Sequence, residues 1–241
     1  MAAAFLGVLL AGGCGTGSES VTVFAAASLT ESFEEIALAY EERHPGTRVE
    51  LNFAASSRLA GQITSGAPAD VFASANLAQM DLVVGAGLAA GPPRTFATNI
   101  LAIAVEPGNP LNIRGLADLA RPELLVVLAA PEVPVGRYAG EALEAAAVEV
   151  RPVSLEATVK AVVTKVALGE ADAGIVYRTD VLAADGAVEG VEIPDEDNVA
   201  AMYPIVALAG AADPDSAEAF VEFVVSPAGQ AILARHGFTA P

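Results

Sequence analysis

The sequence contains one cysteine and two histidines. A single cysteine, Cys14, cannot form an intrachain disulfide or a cysteine-based metal cluster. His44 and His236 each follow a predicted helix, where an imidazole favourably meets the negative end of the helix dipole, so we expect structural roles for both. The sequence also lacks a Gly-x-Ser-x-Gly elbow and a Gly-rich lysine loop for phosphate. These absences argue against an enzyme of acyl or phosphoryl transfer.

Basic residues are scarce. The chain of 241 residues carries 30 Asp and Glu against 12 Lys and Arg, a formal net charge of −18. Nucleic-acid binding depends on neutralising phosphates with a basic surface, so we expect no nucleic-acid partner. An anionic ligand would be repelled at long range. Its capture would have to rely on local contacts.

The N-terminal 20 residues are predicted to be a processing signal and a linker. The apolar run 5–10 is too short to span a bilayer, and small residues lead from it to Cys14. This pattern resembles the end of a bacterial lipoprotein signal, in which the cysteine is lipidated, although Ala11 stands where leucine is usual and no basic n-region precedes it. The alternative is a frayed terminus with a chance cysteine.

Two predicted strands end in the same way. The apolar runs 21–28 and 49–56 each pass through small residues to a serine, Ser28 or Ser56, where a helix is predicted to begin. A serine there caps the helix and leaves backbone N–H groups pointing outward at its positive end. Two such ends together would bind a small anion without any Lys or Arg. The alternative for each serine is a plain N-cap, with Glu31 completing a capping box at Ser28.

Strand-like and helix-like segments alternate after the linker, which predicts an α/β fold with mostly parallel sheets. The predicted strands are 21–28, 49–56, 70–74, 99–106, 123–130, 173–177 and 203–210. The predicted helices are 29–42, 57–66, 80–84, 138–148, 155–168 and 215–236, the last broken at Pro227. Ligands of such sheets bind beyond the carboxyl ends of the strands, where Ser28, Ser56 and Tyr177 are expected to lie.

Several short segments in a fixed order carry a family resemblance. They are VTVFAAASLT (21–30), FAASS (53–57), GAPADVF (66–72), PEVPVGRY (131–138), GIVY (174–177) and RHGF (235–238). Together they resemble the molybdate-binding proteins of bacterial ABC importers, which are periplasmic-type solute-binding proteins. The resemblance runs from about residue 21 to residue 238.

The resemblance implies two α/β lobes joined by two crossover strands, with a tetrahedral oxyanion in the cleft between them. The first lobe would comprise residues 21–97 and 203–241, and the second lobe residues 98–202. The implied ligand contacts are the hydroxyl and N–H groups of Ser28 and Ser56, the backbone N–H groups of Val135 and Val159, and the phenol hydroxyl of Tyr177. Val135 stands where the family often has alanine.

The function implied is capture of molybdate, and of tungstate, for the membrane permease of an ABC importer. The protein would be extracytoplasmic, lipid-anchored through Cys14 and monomeric, with no cofactor and no enzymatic activity. A fully deprotonated dianion only accepts hydrogen bonds, so a site made only of donors suits it. Hydrogen phosphate carries a proton that would lack an acceptor there, at a cost of about 1–3 kcal/mol.

Three alternatives remain at this point. The same fold could bind another oxyanion, such as sulfate, or a small carboxylate, because fold does not fix the ligand. A hydrolase would need a nucleophile beside a base. The ligand-sensing domain of a transcription regulator would need an attached DNA-binding helix-turn-helix, for which the residues before Val21 leave no room.

Overall fold

The structure, a computed structural model, describes residues 19–241, and strands alternate with helices along this range. The strands are β1 (Glu19–Ala26), β2 (Thr47–Ala54), β3 (Val71–Ala73), β4 (Arg94–Asn99), β5 (Leu101–Val105), β6 (Val126–Ala129), β7 (Ser154–Glu156), β8 (Ala173–Tyr177), β9 (Glu189–Glu192) and β10 (Ala201–Ala207). The helices are α1 (Thr30–Arg43), α2 (Ser56–Thr64), α3 (Leu77–Gly85), α4 (Pro134–Ala145), α5 (Val159–Ala167), α6 (Arg178–Ala183), α7 (Pro214–Val225) and α8 (Pro227–Arg235). This alternation confirms the predicted α/β class.

The strands form two sheets, with the orders β2-β1-β3-β10-β4 and β7-β6-β8-β5-β9. We call the first sheet with α1, α2, α3, α7 and α8 the first lobe, and the second sheet with α4, α5 and α6 the second lobe. Each sheet contains two parallel and two antiparallel pairings. The sheets are therefore mixed, and the expectation of mostly parallel sheets is wrong in this respect. The antiparallel pairings all involve β5 or β10, which enter their sheets directly from the other lobe.

The chain passes between the lobes twice, and the two crossings run side by side. The first crossing leads from β4 to β5, and the second returns from β9 to β10. Asn198 joins them, because its side chain accepts a hydrogen bond from the Leu101 N–H (2.9 Å) and donates one to the Leu101 carbonyl (3.0 Å). A half-buried amide that pairs both backbone groups of one residue holds the crossings in register.

The apolar face predicted for the first helix is present and buried. Its residues follow helical spacing and pack towards the first sheet: Leu29, Phe33, Ile36, Ala37 and Tyr40. Phe33 also contacts the rings of Phe96 and Phe220, with centroids 5.8 and 6.3 Å apart. These contacts hold α1, and the turn before it, against the sheet.

Both histidines follow helix ends, as predicted. His44 comes after α1 and stacks on the Tyr40 ring, with centroids 4.0 Å apart. His236 comes after α8, and its Nε2 lies 2.8 Å from the carboxylate of Glu35. These contacts give each imidazole a structural partner.

The sequence did not predict α6, β4, β7 or β9 as separate elements. Three of them are short, with six, three and four residues for α6, β7 and β9. β4 and β9 carry many polar residues, and short polar segments give no apolar periodicity to recognise. Among the described residues, no single helix is long and apolar enough to cross a membrane, whereas α7 and α8, bent by 58° at their junction, together meet those two criteria.

Candidate anion-binding site

The residues predicted to bind the ligand surround one cavity between the two lobes. The space between the surrounding atoms is about 220 Å³, part of it open to solvent. The first lobe lines it with Ala26, Ala27, Ser28, Ala55, Ser56 and Ala75, and the second lobe with Val133, Pro134, Val135, Val159 and Tyr177. None of these lining residues carries a charge. The size and lining suit a small ligand held by uncharged groups.

Ser28 lies in a 3₁₀ turn, Ala27–Leu29, that connects β1 to α1. The prediction that it caps α1 is wrong, because Leu29 occupies the N-cap position and no side chain within residues 19–241 caps that helix start. The 3₁₀ turn directs Ser28 inward, where it is buried, and its Oγ lies 3.0 Å from the hydroxyl of Tyr203. The capping box with Glu31 is also not formed.

Ser56 is the first residue of α2 and not its N-cap. Ala55 occupies the N-cap position (φ −58°, ψ 138°), so α2 begins one residue earlier than predicted. The Ser56 Oγ accepts a hydrogen bond from the Ala75 N–H at 3.0 Å. Because the Ser56 hydroxyl is the acceptor in this hydrogen bond, its own proton can be donated into the cavity.

Three of the helix starts that line the cavity lack a side-chain cap. Within residues 19–241, no side chain caps the Ala27–Leu29 turn, α2 or α4. By contrast, α3, α7 and α8 are capped by Asn76, Asp213 and Ser226. The first N–H groups of a helix have no partner inside it. Uncapped starts therefore present backbone donors and the positive ends of helix dipoles to the cavity.

The second lobe places two valine N–H groups at helix starts. Val135 follows Pro134 in α4, and because proline has no N–H, Val135 carries the first donor of that helix. Val159 is the first residue of α5. Thr158 caps α5 by accepting from the Ala161 N–H (3.2 Å), two residues further on. Both valines are buried at the cavity wall.

Tyr177 is the last residue of β8 and lines the cavity, and its hydroxyl is buried. The residue is 1% exposed, and its hydroxyl has no hydrogen-bond partner of normal geometry among residues 19–241. Burial, with a smaller contribution from Tyr203, raises the pKa of this phenol well above its usual value, so the hydroxyl keeps its proton. Leaving a buried polar group unpaired costs about 1–3 kcal/mol. A ligand in the cavity that accepts this hydrogen bond would remove that cost.

The cavity lining combines serine and tyrosine hydroxyls with backbone N–H groups. The lining includes no histidine, lysine or carboxylate that could act as a base beside a serine. Within residues 19–241, no three His, Cys, Asp or Glu side chains are grouped to hold a metal ion. The arrangement can bind and bury an anion.

Sequence comparison agrees with this geometry. The profile of the family described as "Bacterial extracellular solute-binding protein" matches residues 21–239. The chain belongs to this family. It is 45% identical over 225 residues to the molybdate-binding protein ModA of Mycobacterium tuberculosis, with 93% of this chain and 86% of that protein covered.

Solved structures share the fold of this solute-binding protein. The periplasmic molybdate-binding protein of Azotobacter vinelandii superposes with a TM-score of 0.79 at 22% identity, covering 92% of this chain and 99% of that one. The sulfate-binding protein SubI of Mycobacterium tuberculosis gives a TM-score of 0.81 at 21% identity, covering 92% and 87%. These structures confirm the predicted two-lobed fold with a cleft between the lobes.

Sequence reasoning missed a charged cluster beside the cavity of this solute-binding protein. Asp180 in α6 is 1% exposed, and its Oδ2 accepts a hydrogen bond from the Tyr177 N–H at 3.2 Å. The Lys160 Nζ lies 3.6 Å from Asp180 Oδ1 and 2.8 Å from both carboxylate oxygens of Glu31. Burial raises the pKa of Asp180 to about 6, although Lys160 opposes the shift. No local pattern signals this cluster, because Glu31 and Lys160 are 129 positions apart.

A second buried network lies behind Ser28. The Tyr203 hydroxyl, besides its contact with Ser28, is 3.5 Å from the Asn99 Nδ2. Asn99 Nδ2 also donates to the Thr179 Oγ1 at 2.8 Å. Asn99 is the last residue of β4, and Tyr203 lies near the start of β10, so both are next to the crossings between the lobes. The network therefore connects Ser28 to these crossings.

Proposed function

We propose that this protein binds molybdate, and also tungstate, in the cavity between its lobes and delivers it as a monomer to the permease of an ABC importer. The observation that carries the proposal is a buried, uncharged cavity bordered by two serine hydroxyls, the Tyr177 hydroxyl and uncapped helix starts. The relatives named as molybdate-binding proteins support the choice of ligand. In this proposal Ser28, Ser56, Val135, Val159 and Tyr177 are the ligand contacts, and the protein catalyses no reaction and needs no cofactor.

We expect the site to select among anions by whether the bound anion carries a proton. Molybdate and tungstate are fully deprotonated dianions that accept hydrogen bonds on every oxygen, and each hydrogen bond to a charged group contributes about 1.5–3 kcal/mol. Hydrogen phosphate would bring a proton into a cavity whose lining contains no carboxylate to accept it. We therefore expect phosphate to bind weakly. Sulfate is also fully deprotonated, and we expect it to be disfavoured by its smaller size.

Calorimetric titration of the protein with molybdate, tungstate, sulfate and phosphate tests the proposal. We expect tight one-to-one binding of molybdate and tungstate, with little or no heat from the other two anions. Preferential binding of sulfate would show that the same site serves a different oxyanion. No binding of any of the four would contradict an oxyanion function.

Replacing Tyr177 by phenylalanine is expected to weaken molybdate binding by about 1.5–3 kcal/mol, which is roughly 10- to 150-fold. The unliganded variant should unfold at the same or a slightly higher temperature, because the lost hydroxyl has no hydrogen-bond partner among residues 19–241. Calorimetry and thermal unfolding measure the two effects. Tyr40→Phe is the control, since that hydroxyl donates to the Ser216 carbonyl (3.4 Å) within the first lobe. Unchanged affinity of Tyr177→Phe would show that the tyrosine is only structural.

We also propose that the protein is anchored outside the cytoplasmic membrane by a lipid on Cys14, which lies outside the described residues. An extracytoplasmic location agrees with the family description, and the small residues before Cys14 agree with a lipoprotein signal. Cys14→Ser is expected to move the protein from the membrane fraction to the soluble fraction of a native host, as measured by fractionation and immunoblotting. Membrane association that persists in this variant would contradict the anchor.

A further inference from the structure

An ion pair crosses the cleft beside the candidate anion site. The Lys160 Nζ in α5 of the second lobe lies 2.8 Å from both carboxylate oxygens of Glu31 in α1 of the first lobe. The other ion pairs within residues 19–241 each join residues of one lobe. Of the charge–charge contacts in the described part of the chain, only the pair Glu31–Lys160 therefore depends on how far the lobes are apart.

The pair is attached to the same helix starts that border the cavity. Glu31 follows Ser28 by three positions, and Lys160 directly follows Val159. The start of α5 packs against the Ala27–Leu29 turn. Lobe separation would therefore break the ion pair and open the cavity in one movement.

Asp180 gives Lys160 a second partner within its own lobe. The Asp180 Oδ1 is 3.6 Å from the Lys160 Nζ and has no hydrogen bond among the residues that the structure describes. When the lobes part, Glu31 leaves with the first lobe, whereas Asp180 remains beside the lysine. Lys160 thus has one carboxylate partner in the open state and a closer additional one in the closed state. The difference between the two states favours closure.

We propose that Glu31 and Lys160 are positioning residues that hold the lobes closed over the bound anion. The inference rests on the proposed anion site, but neither side chain lines that cavity. Ligand binding and closure are linked because a contact made only in the closed state shifts the equilibrium towards it. Loss of the pair should therefore be seen mainly as faster release of the anion.

The first test compares two lysine variants in the same helix. Lys160→Met is expected to weaken molybdate binding about 2- to 5-fold, the upper part of the range for one partly exposed ion pair. Most of the change should lie in the dissociation rate measured by stopped flow. Lys165→Met is the matched control, because Lys165 pairs with Glu156 inside the second lobe (2.7 Å) and is similarly exposed. Both variants change the net charge equally, so long-range electrostatics affects them alike.

The second test separates lobe closure from simple attraction between Lys160 and the anion. If Lys160 acted only by attraction, Glu31→Gln would remove a nearby negative charge and tighten binding. Closure by the pair predicts instead that Glu31→Gln weakens binding, and that Glu31→Gln with Lys160→Met is no weaker than Lys160→Met alone. Tighter binding by Glu31→Gln, or equal affinities of the two lysine variants, would overturn the inference while molybdate binding by the wild type stands. A wild type that does not bind molybdate would overturn the proposed function and this inference together.

Discussion

Gly136→Ala is expected to destabilise the protein by about 3 kcal/mol and to abolish tight anion binding. A Cβ atom at this position would lie 2.2 Å from the Ala130 carbonyl oxygen and 2.5 Å from that of Ala129. Both are backbone atoms at the end of β6, so they cannot rotate away as a side chain could. Overpacking of this kind costs about 1–3 kcal/mol, and occasionally more. The start of α4 must shift to relieve the clash, and that shift moves the Val135 N–H at the cavity.

Gly140→Ala in the same helix provides a matched control. A Cβ there would meet nothing within 4 Å, and alanine is more favourable than glycine in a helix interior by about 1 kcal/mol. We therefore expect Gly140→Ala to stabilise the protein and to leave anion affinity unchanged. Urea unfolding and calorimetric titration of both variants make the comparison. Similar stability and affinity in the two variants would show that α4 does not need its close approach to β6.

The sequence predicted the parts of the fold that depend on local patterns. The apolar spacing of α1 and the short run 173–177 that forms β8 are examples, because each is determined by burial of one face or of a whole strand. The mixed character of the sheets was not predicted. Strand direction in β5 and β10 depends on where the chain crosses between lobes, which no local pattern records.

The candidate site was also predicted only in part from local patterns. Position at the carboxyl ends of strands was enough to bring Ser28, Ser56 and Tyr177 together. The local roles given to the serines were wrong, because a shift of one residue in a helix start changes a capping side chain into a side chain with other partners. Capping preferences depend on the local sequence, whereas both hydroxyls here have buried partners from distant segments, Tyr203 and Ala75.

Asp180→Asn is expected to stabilise the protein by up to about 3 kcal/mol near pH 8 and to have little effect near pH 4. Burial raises the pKa of this carboxyl in the folded protein to about 6, whereas an unfolded aspartate titrates near 3.9. Folding therefore disfavours the ionised form, at about 1.4 kcal/mol for each pKa unit. This cost is present in full above pH 6. It falls as the pH decreases and the folded carboxyl takes up its proton.

Asparagine removes the charge and keeps an oxygen that can accept the Tyr177 N–H. Lys160 keeps Glu31 as its partner, so the substitution leaves no buried charge unpaired. Thermal unfolding of wild type and variant from pH 4 to pH 8 measures the difference at each pH. Because each comparison is made at one pH, the titration of other carboxylates cancels.

Glu156→Gln should show the opposite behaviour. Hydrogen bonds from Lys165 and Ser154 lower the pKa of Glu156 below its usual value, so its ionised form stabilises the folded protein. This contribution is present above the unfolded pKa and is lost as the pH falls through the folded one. The glutamine variant should therefore be less stable than wild type at pH 7 and approach it in acid. If Asp180→Asn also lost stability at pH 8, attraction to Lys160 would outweigh burial at Asp180, and the aspartate would stabilise the site as an ion.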